Sequence, residues 1–130
     1  MCDVMKKFVL DTSILLLIPE RRLNVVEYIL DNFSTSEILI LVPPPIVYEL
    51  SKTKKGRLVL KILEEYRNLI HIGEPKREYA DRWILNYVDS EVRNGNIVYV
   101  GTTDLKLKKQ VKNKGGKVIY LQSQSKFAVD

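Results

Sequence analysis

Continuous apolar runs alternate with apolar stripes along this chain. Phe8-Val9-Leu10 is a short run that reads as a buried strand, whereas Leu23, Val26, Leu30 and Phe33 recur at the spacing of a helix face. Ile38-Leu39-Ile40-Leu41-Val42 is again continuous and rich in branched side chains, as expected of a strand covered on both faces. Pro43-Pro44-Pro45 stops it. Because proline is tolerated in a first helical turn, Pro45 is predicted to open a helix carrying Ile46, Val47, Glu49 and Leu50. A basic connection with Lys52, Lys54, Lys55, Gly56 and Arg57 leads to a second amphipathic helix marked by Val59, Ile62, Leu63 and Tyr66. Leu69-Ile70-His71-Ile72 then reads as a short strand.

The second half repeats the alternation. Ala80, Trp83, Ile84, Tyr87 and Val88 fall at i, i+3, i+4, i+7 and i+8, which predicts a long helix from Arg77 to Arg93. Asn94-Gly95-Asn96 is turn chemistry, Ile97 to Val100 a strand, Leu105 to Lys114 a helix, and Gly115-Gly116 its stop before the strand Val118 to Leu121. Such regular alternation predicts an α/β fold, a three-layer α/β/α arrangement around a parallel sheet of about five strands. One domain over residues 1–121 followed by a polar tail, 122–130, is the expected organisation.

Composition narrows the picture. With 130 residues and 45% hydrophobic content the chain can build a single core. Cys2 is the only cysteine, which excludes an intramolecular disulfide and a multi-cysteine zinc site and fits a reducing, cytoplasmic setting. No run reaches the ~18 apolar residues of a membrane span, and the N-terminus lacks the order of a signal peptide, so a soluble protein is expected. The net charge of +5 would attract a polyanion such as nucleic acid, although many small basic proteins bind none.

Four acids occupy strand ends or helix openings: Asp11, Glu49, Asp81 and Asp104. Each has an ordinary explanation alone. Asp11 and Asp104 could cap the helices that follow them, Asp81 could favour a helix dipole, and Glu49 could be a solvated helix position. Together they suggest one pocket, because the carboxyl ends of strands in a parallel sheet converge on a single ligand-binding crevice. Meeting carboxylates repel unless a cation neutralises them, and all-oxygen ligands suit Mg²⁺ or Mn²⁺ better than zinc. His71, the only histidine, lies between Ile70 and Ile72 and reads as structural rather than as a ligand. Neither a Gly-rich phosphate loop nor a well-placed nucleophile and base offers a competing chemistry. A metal-held acid cluster on a basic protein can instead activate water against a phosphodiester.

The order of these segments resembles the PIN-domain nuclease family, which includes VapC-type toxins and ribosomal-RNA-processing endonucleases. The resemblance rests on Val9-Leu10-Asp11-Thr12-Ser13, on Val42 to Leu50 around Glu49, on Ala80-Asp81-Arg82-Trp83-Ile84-Leu85, and on Thr102-Thr103-Asp104, which together span most of the chain. It implies a single-stranded RNA endonuclease using Mg²⁺ or Mn²⁺, with Asp11, Glu49, Asp81 and Asp104 as metal-coordinating catalytic acids and Ser13 and Thr102 as polar supports. An antitoxin protein and a homodimer are the further partners it implies. Arg82 departs from the pattern, standing where some RNA-processing members carry a second aspartate; that leaves open a one-metal site, a phosphate contact by Arg82, or its pairing with a neighbouring acid. Lys52, Lys54, Lys55, Arg57, Arg82 and Lys106 are the RNA-binding candidates. Lys106 heads a group with Lys108, Lys109, Lys112, Lys114 and Lys117 on the final helix and its exit, which could equally be a solvated helix face, a reading that weighs less for the group after Glu49. Tyr48, Tyr79 and Tyr99 could stack bases if exposed, whereas Trp83 falls at a core position of its helix.

Overall fold

The computed structural model describes residues 4–34 and 36–130, so Cys2 lies outside the described residues. The chain runs β1 (Lys6–Leu10), α1 (Thr12–Leu15), α2 (Leu17–Arg21), α3 (Val25–Asn32), β2 (Ile38–Val42), α4 (Pro44–Ser51) and α5 (Lys54–Glu64). It continues through β3 (Ile70–Ile72), α6 (Ala80–Arg93), β4 (Ile97–Gly101), α7 (Leu105–Asn113), β5 (Lys117–Ser123) and β6 (Lys126–Val129). The sheet order is β3-β2-β1-β4-β5-β6. Five strands are parallel, and β6 runs antiparallel to β5.

Strand periodicity explains the layers. Successive side chains of β1 point to opposite faces. Phe8 stacks on Tyr99 of β4 and meets Phe33, at the end of α3, edge-on at 4.8 Å. The next position back, Lys7, faces the other way and pairs with Glu91 of α6. Helices therefore cover both faces, in the α/β/α arrangement that the alternating pattern predicts.

Several boundaries shift for local reasons. Pro43 takes an extended conformation and serves as the N-cap, so α4 begins at Pro44, one residue before the predicted start. The basic connection expected at 52–57 is largely helical, because the Thr53 hydroxyl accepts from the Gly56 N–H and caps α5. Gly56 is required there: a Cβ would fall 2.0 Å from the Leu50 carbonyl oxygen, closing the tight approach of α5 to α4. Residues 122–130, expected as a polar tail, instead finish β5 and form β6, where Phe127 is buried against the sheet and packs on Tyr28 of α3. Polar composition concealed that strand because only one of its side chains is buried.

His71 sits exposed on β3, an edge strand paired only with β2. Tyr99 is buried beside Phe8 and is no stacking platform, while Trp83 is half-buried and stacks on Tyr87 as a packing residue. No helix is long and apolar enough to cross a membrane among the described residues.

Candidate active site

The chain leaves β1 for β2 and β3 on one side, then returns to place β4 and β5 on the other. This makes the gap beyond β1 and β4 a topological switch point, where an open α/β sheet forms its crevice. The Asp11 N–H donates to the Gly101 carbonyl at 2.9 Å, tying the two strand ends together. Thr102, Thr103 and Asp104 follow directly from β4.

Asp11 is almost fully buried, and its side chain makes no cap bond to α1. Its Oδ2 accepts from the Ser13 hydroxyl at 2.8 Å and from the Thr102 hydroxyl at 2.9 Å. Ser13 Oγ in turn accepts from the Thr103 N–H, and Thr102 Oγ1 from the Asp104 N–H. Each hydroxyl has one proton, and both protons are directed to Asp11. The 3.2 Å approach of the two hydroxyl oxygens is therefore a consequence of their common acceptor. Both hydroxyls use Oδ2; the hydrogen bonds among the described residues leave Oδ1 unengaged.

Asp104 differs. It is exposed, and its Oδ1 caps α7 by accepting from the N–H groups of Lys106 and Leu107 at 2.9 and 3.2 Å. Here the capping explanation is correct, and the second oxygen stays available. Asp81 lies in the first turn of α6 and is exposed at the rim. Its carboxyl is pushed above the ordinary aspartate range by partial desolvation, then by the negative charges of Asp11 and Asp104; Lys106 opposes the shift. These three acids thus share one electrostatic environment.

Glu49, exposed on α4, joins this region by another route: it accepts the Thr12 hydroxyl, immediately after Asp11. It is not among the charges that move Asp81. Thr12 was absent from the candidate residues, although a hydroxyl directly following a strand-end aspartate was the available signal. The acids lie apart: no group of three or more His, Cys, Asp or Glu side chains is placed to hold an ion among the described residues. An all-carboxylate donor set still fits a hard divalent cation, because magnesium is commonly held by one or two carboxylates with water filling its shell. Asp11, Asp81 and Asp104 are the side chains that would hold it, with Glu49 alongside.

The basic candidates divide. Lys52 lies over the Tyr48 ring, Lys55 pairs with Glu20 at 3.2 Å, and Arg57 donates to the Ser51 carbonyl. Lys54 is an exposed first-turn residue of α5. Lys106 is the cation that bears on Asp81. Arg82 is paired with no acid among the described residues and lies 5.5 Å from the Tyr79 ring centroid.

No family model matches the chain, and no curated protein matches it. Among solved structures it is similar to the PIN domain endonuclease Utp24, with a TM-score of 0.75 and 18% sequence identity over 95% of this chain and 90% of that chain. At that identity the likeness shows the fold: a PIN-like α/β architecture.

Proposed function

We propose that this chain is a divalent-metal-dependent endoribonuclease that cleaves single-stranded RNA phosphodiesters. The observation that carries the reading is the buried Asp11 carboxylate at the switch point of the sheet, held by Ser13 and Thr102 where β4 leads to Asp104. Asp81 adds to it, its carboxyl raised first by desolvation and then by the charges of Asp11 and Asp104. Folding that gathers like charge without pairing it is costly, and such sites are commonly functional. Ser13 and Thr102 fix the Asp11 carboxylate, so its unengaged oxygen is held in one orientation. A bound Mg²⁺ or Mn²⁺ would supply the positive charge that lowers the pKa of water and stabilises the leaving oxygen. Lys106 and Arg82 provide charge for the RNA backbone beside the acids.

Purified protein incubated with single-stranded RNAs and Mn²⁺ tests the proposal. Cleavage is expected, and undiminished cleavage by Asp11→Asn would exclude this site. A VapC-type toxin and an RNA-processing nuclease use the same chemistry; a cytoplasmic setting belongs to the proposal, and an antitoxin encoded beside the gene would distinguish the first. A homodimer, which an exposed apolar patch on the N-terminal helices would support, belongs to the same proposal, yet the exposed large hydrophobics among the described residues, including Leu58, Leu69 and Tyr79, do not lie on α1 to α3.

A second reading is supported by the separation of the acids and by Arg82 beside Asp81. In it the fold is a scaffold that binds RNA or protein with little cleavage. Calorimetric titration separates the two, since absence of Mg²⁺ or Mn²⁺ binding at millimolar concentration would favour the scaffold.

A further inference from the structure

Helices α6 and α7 bound a hollow of about 390 Å³ that starts at Asp81 and is lined by Arg82, Asn86, Lys106, Gln110 and Lys114. A second hollow, also about 390 Å³, is lined by Tyr79, Trp83 and Tyr87 and shares Arg82 and Asn86 with the first. The two are therefore neighbours across α6. Lys106 and Gln110 on α7 and Lys114 at its C-cap stand at i, i+4 and i+8, forming one row about 12 Å long.

Ion pairing separates this row from Lys108 and Lys112, though not from the exposed Lys109, which lies outside the hollow. Lys108 and Lys112 are held by Asp130 at 3.3 and 2.9 Å, whereas Arg82, Lys106 and Lys114 have no acid partner among the described residues. Glu78, which also borders the second hollow, is accompanied by Lys76 at 3.7 Å. Tyr79 is 79% exposed, so its ring is accessible to a stacking partner. Arg82 lies beside that ring, so one residue presents both a cation and a stacking plane at the junction of the hollows.

We propose that these hollows form the path of a single-stranded nucleic acid leading from the acid crevice. Its phosphates follow Lys106, Lys114 and Arg82; Asn86 and Gln110 contribute amide hydrogen bonds; and a base departing the crevice stacks on Tyr79. A groove of cations ending on an aromatic plane suits a strand whose bases are unpaired, since a duplex keeps its base faces covered. This assignment rests on the RNA-cleavage reading for its substrate, and it places the strand on α6 and α7 rather than on the basic start of α5.

Binding of a fluorescein-labelled, uncleavable 2′-O-methyl oligonucleotide to the full chain, followed by anisotropy in EDTA, tests the path independently of catalysis. Lys106→Ala and Lys114→Ala should each weaken binding and reduce the salt slope by about 0.7. Tyr79→Ala should weaken it by about fivefold or more with an unchanged slope, and Tyr79→Phe should restore it. Lys108→Ala and Lys54→Ala should have little effect. Equal losses from Lys108→Ala, a Tyr79→Phe as weak as Tyr79→Ala, or equal competition by poly-glutamate would overturn the assignment. Intact groove binding without RNA cleavage would defeat the nuclease reading alone; cleavage and binding insensitive to Tyr79, Lys106 and Lys114 would defeat the path alone.

Discussion

The two ends of the sheet treat charge in opposite ways. At the amino ends of the strands, Lys7 meets Glu91 at 2.6 Å, Asn96 donates to Glu91, and the same Asn96 side chain accepts from the Met5 N–H. Each group there answers another: the pairing pushes Lys7 up and Glu91 down from their ordinary values. At the carboxyl ends, Asp11, Asp81 and Asp104 share an environment in which, among the described residues, Lys106 is the cation that eases Asp81. A single helix, α6, carries an acid of each kind. The difference teaches that buried or crowded charge is not in itself a sign of function; charge left unanswered is.

Removing the crevice charge gives the largest expected effect. Asp11→Asn keeps the shape of the side chain and should lower RNA cleavage by more than ~100-fold, since altering only the supporting groups of a metal ligand commonly costs ~10–100-fold. Single-turnover rates measure it, with thermal unfolding to show that the fold survives. Thr102→Val removes one of the two hydroxyls on Asp11 and should fall within that ~10–100-fold range. Glu91→Gln, at the opposite end, should leave the cleavage rate unchanged. An equal loss of activity from Glu91→Gln would erase the contrast between the ends.

Stability should respond in the reverse order. Glu91→Ala leaves the partly buried Lys7 ammonium without its partner and should cost about 1–2 kcal/mol in urea unfolding, the discounted value of a charged hydrogen bond. Asp104→Ala should cost ~1 kcal/mol through loss of the α7 cap, whereas Asp104→Asn retains the cap and loses only the charge. Comparing those two variants separates structural from chemical roles in one residue.

The smallest effects are in pH dependence, and their signs differ along α6. The folded chain holds a proton on Asp81 over a window where the unfolded chain has released it, so this contribution to stability declines as pH rises from the ordinary 3.8 through the raised value. Glu91 behaves oppositely: its contribution is full above the ordinary 4.5 and disappears as pH falls through the lowered value. Asp81→Asn should therefore raise the urea midpoint near neutral pH and do less in acid. Glu91→Gln should lower it near neutral pH and likewise do less in acid. Same-signed shifts would show that Asp81 has an answering charge after all.

Much of the architecture was legible from hydrophobic spacing. Ile38 to Val42 could hardly be anything but a doubly covered strand, and the stripe from Ala80 to Val88 defined α6 to within three residues of its start. The C-terminal strand was illegible because β6 buries chiefly Phe127, too little to impose a pattern on Lys126–Val129. The start of α5 was hidden for a different reason: its basic residues read as a connection, and the cap from Thr53 is a hydrogen bond rather than a hydrophobic signal.

Sequence by itself determined that strand ends would carry Asp11 and Asp104 and that a parallel sheet would bring such ends to one edge, because local propensity and periodicity act over a few residues. It assigned those two aspartates the same ambiguity. Only the tertiary structure decided between them: Thr102, 91 positions from Asp11, turns that side chain away from capping, while Asp104 keeps its cap on α7. The physical reason is that a carboxylate's role depends on which donors surround it, and those donors are brought together by strand order rather than by neighbours in the chain.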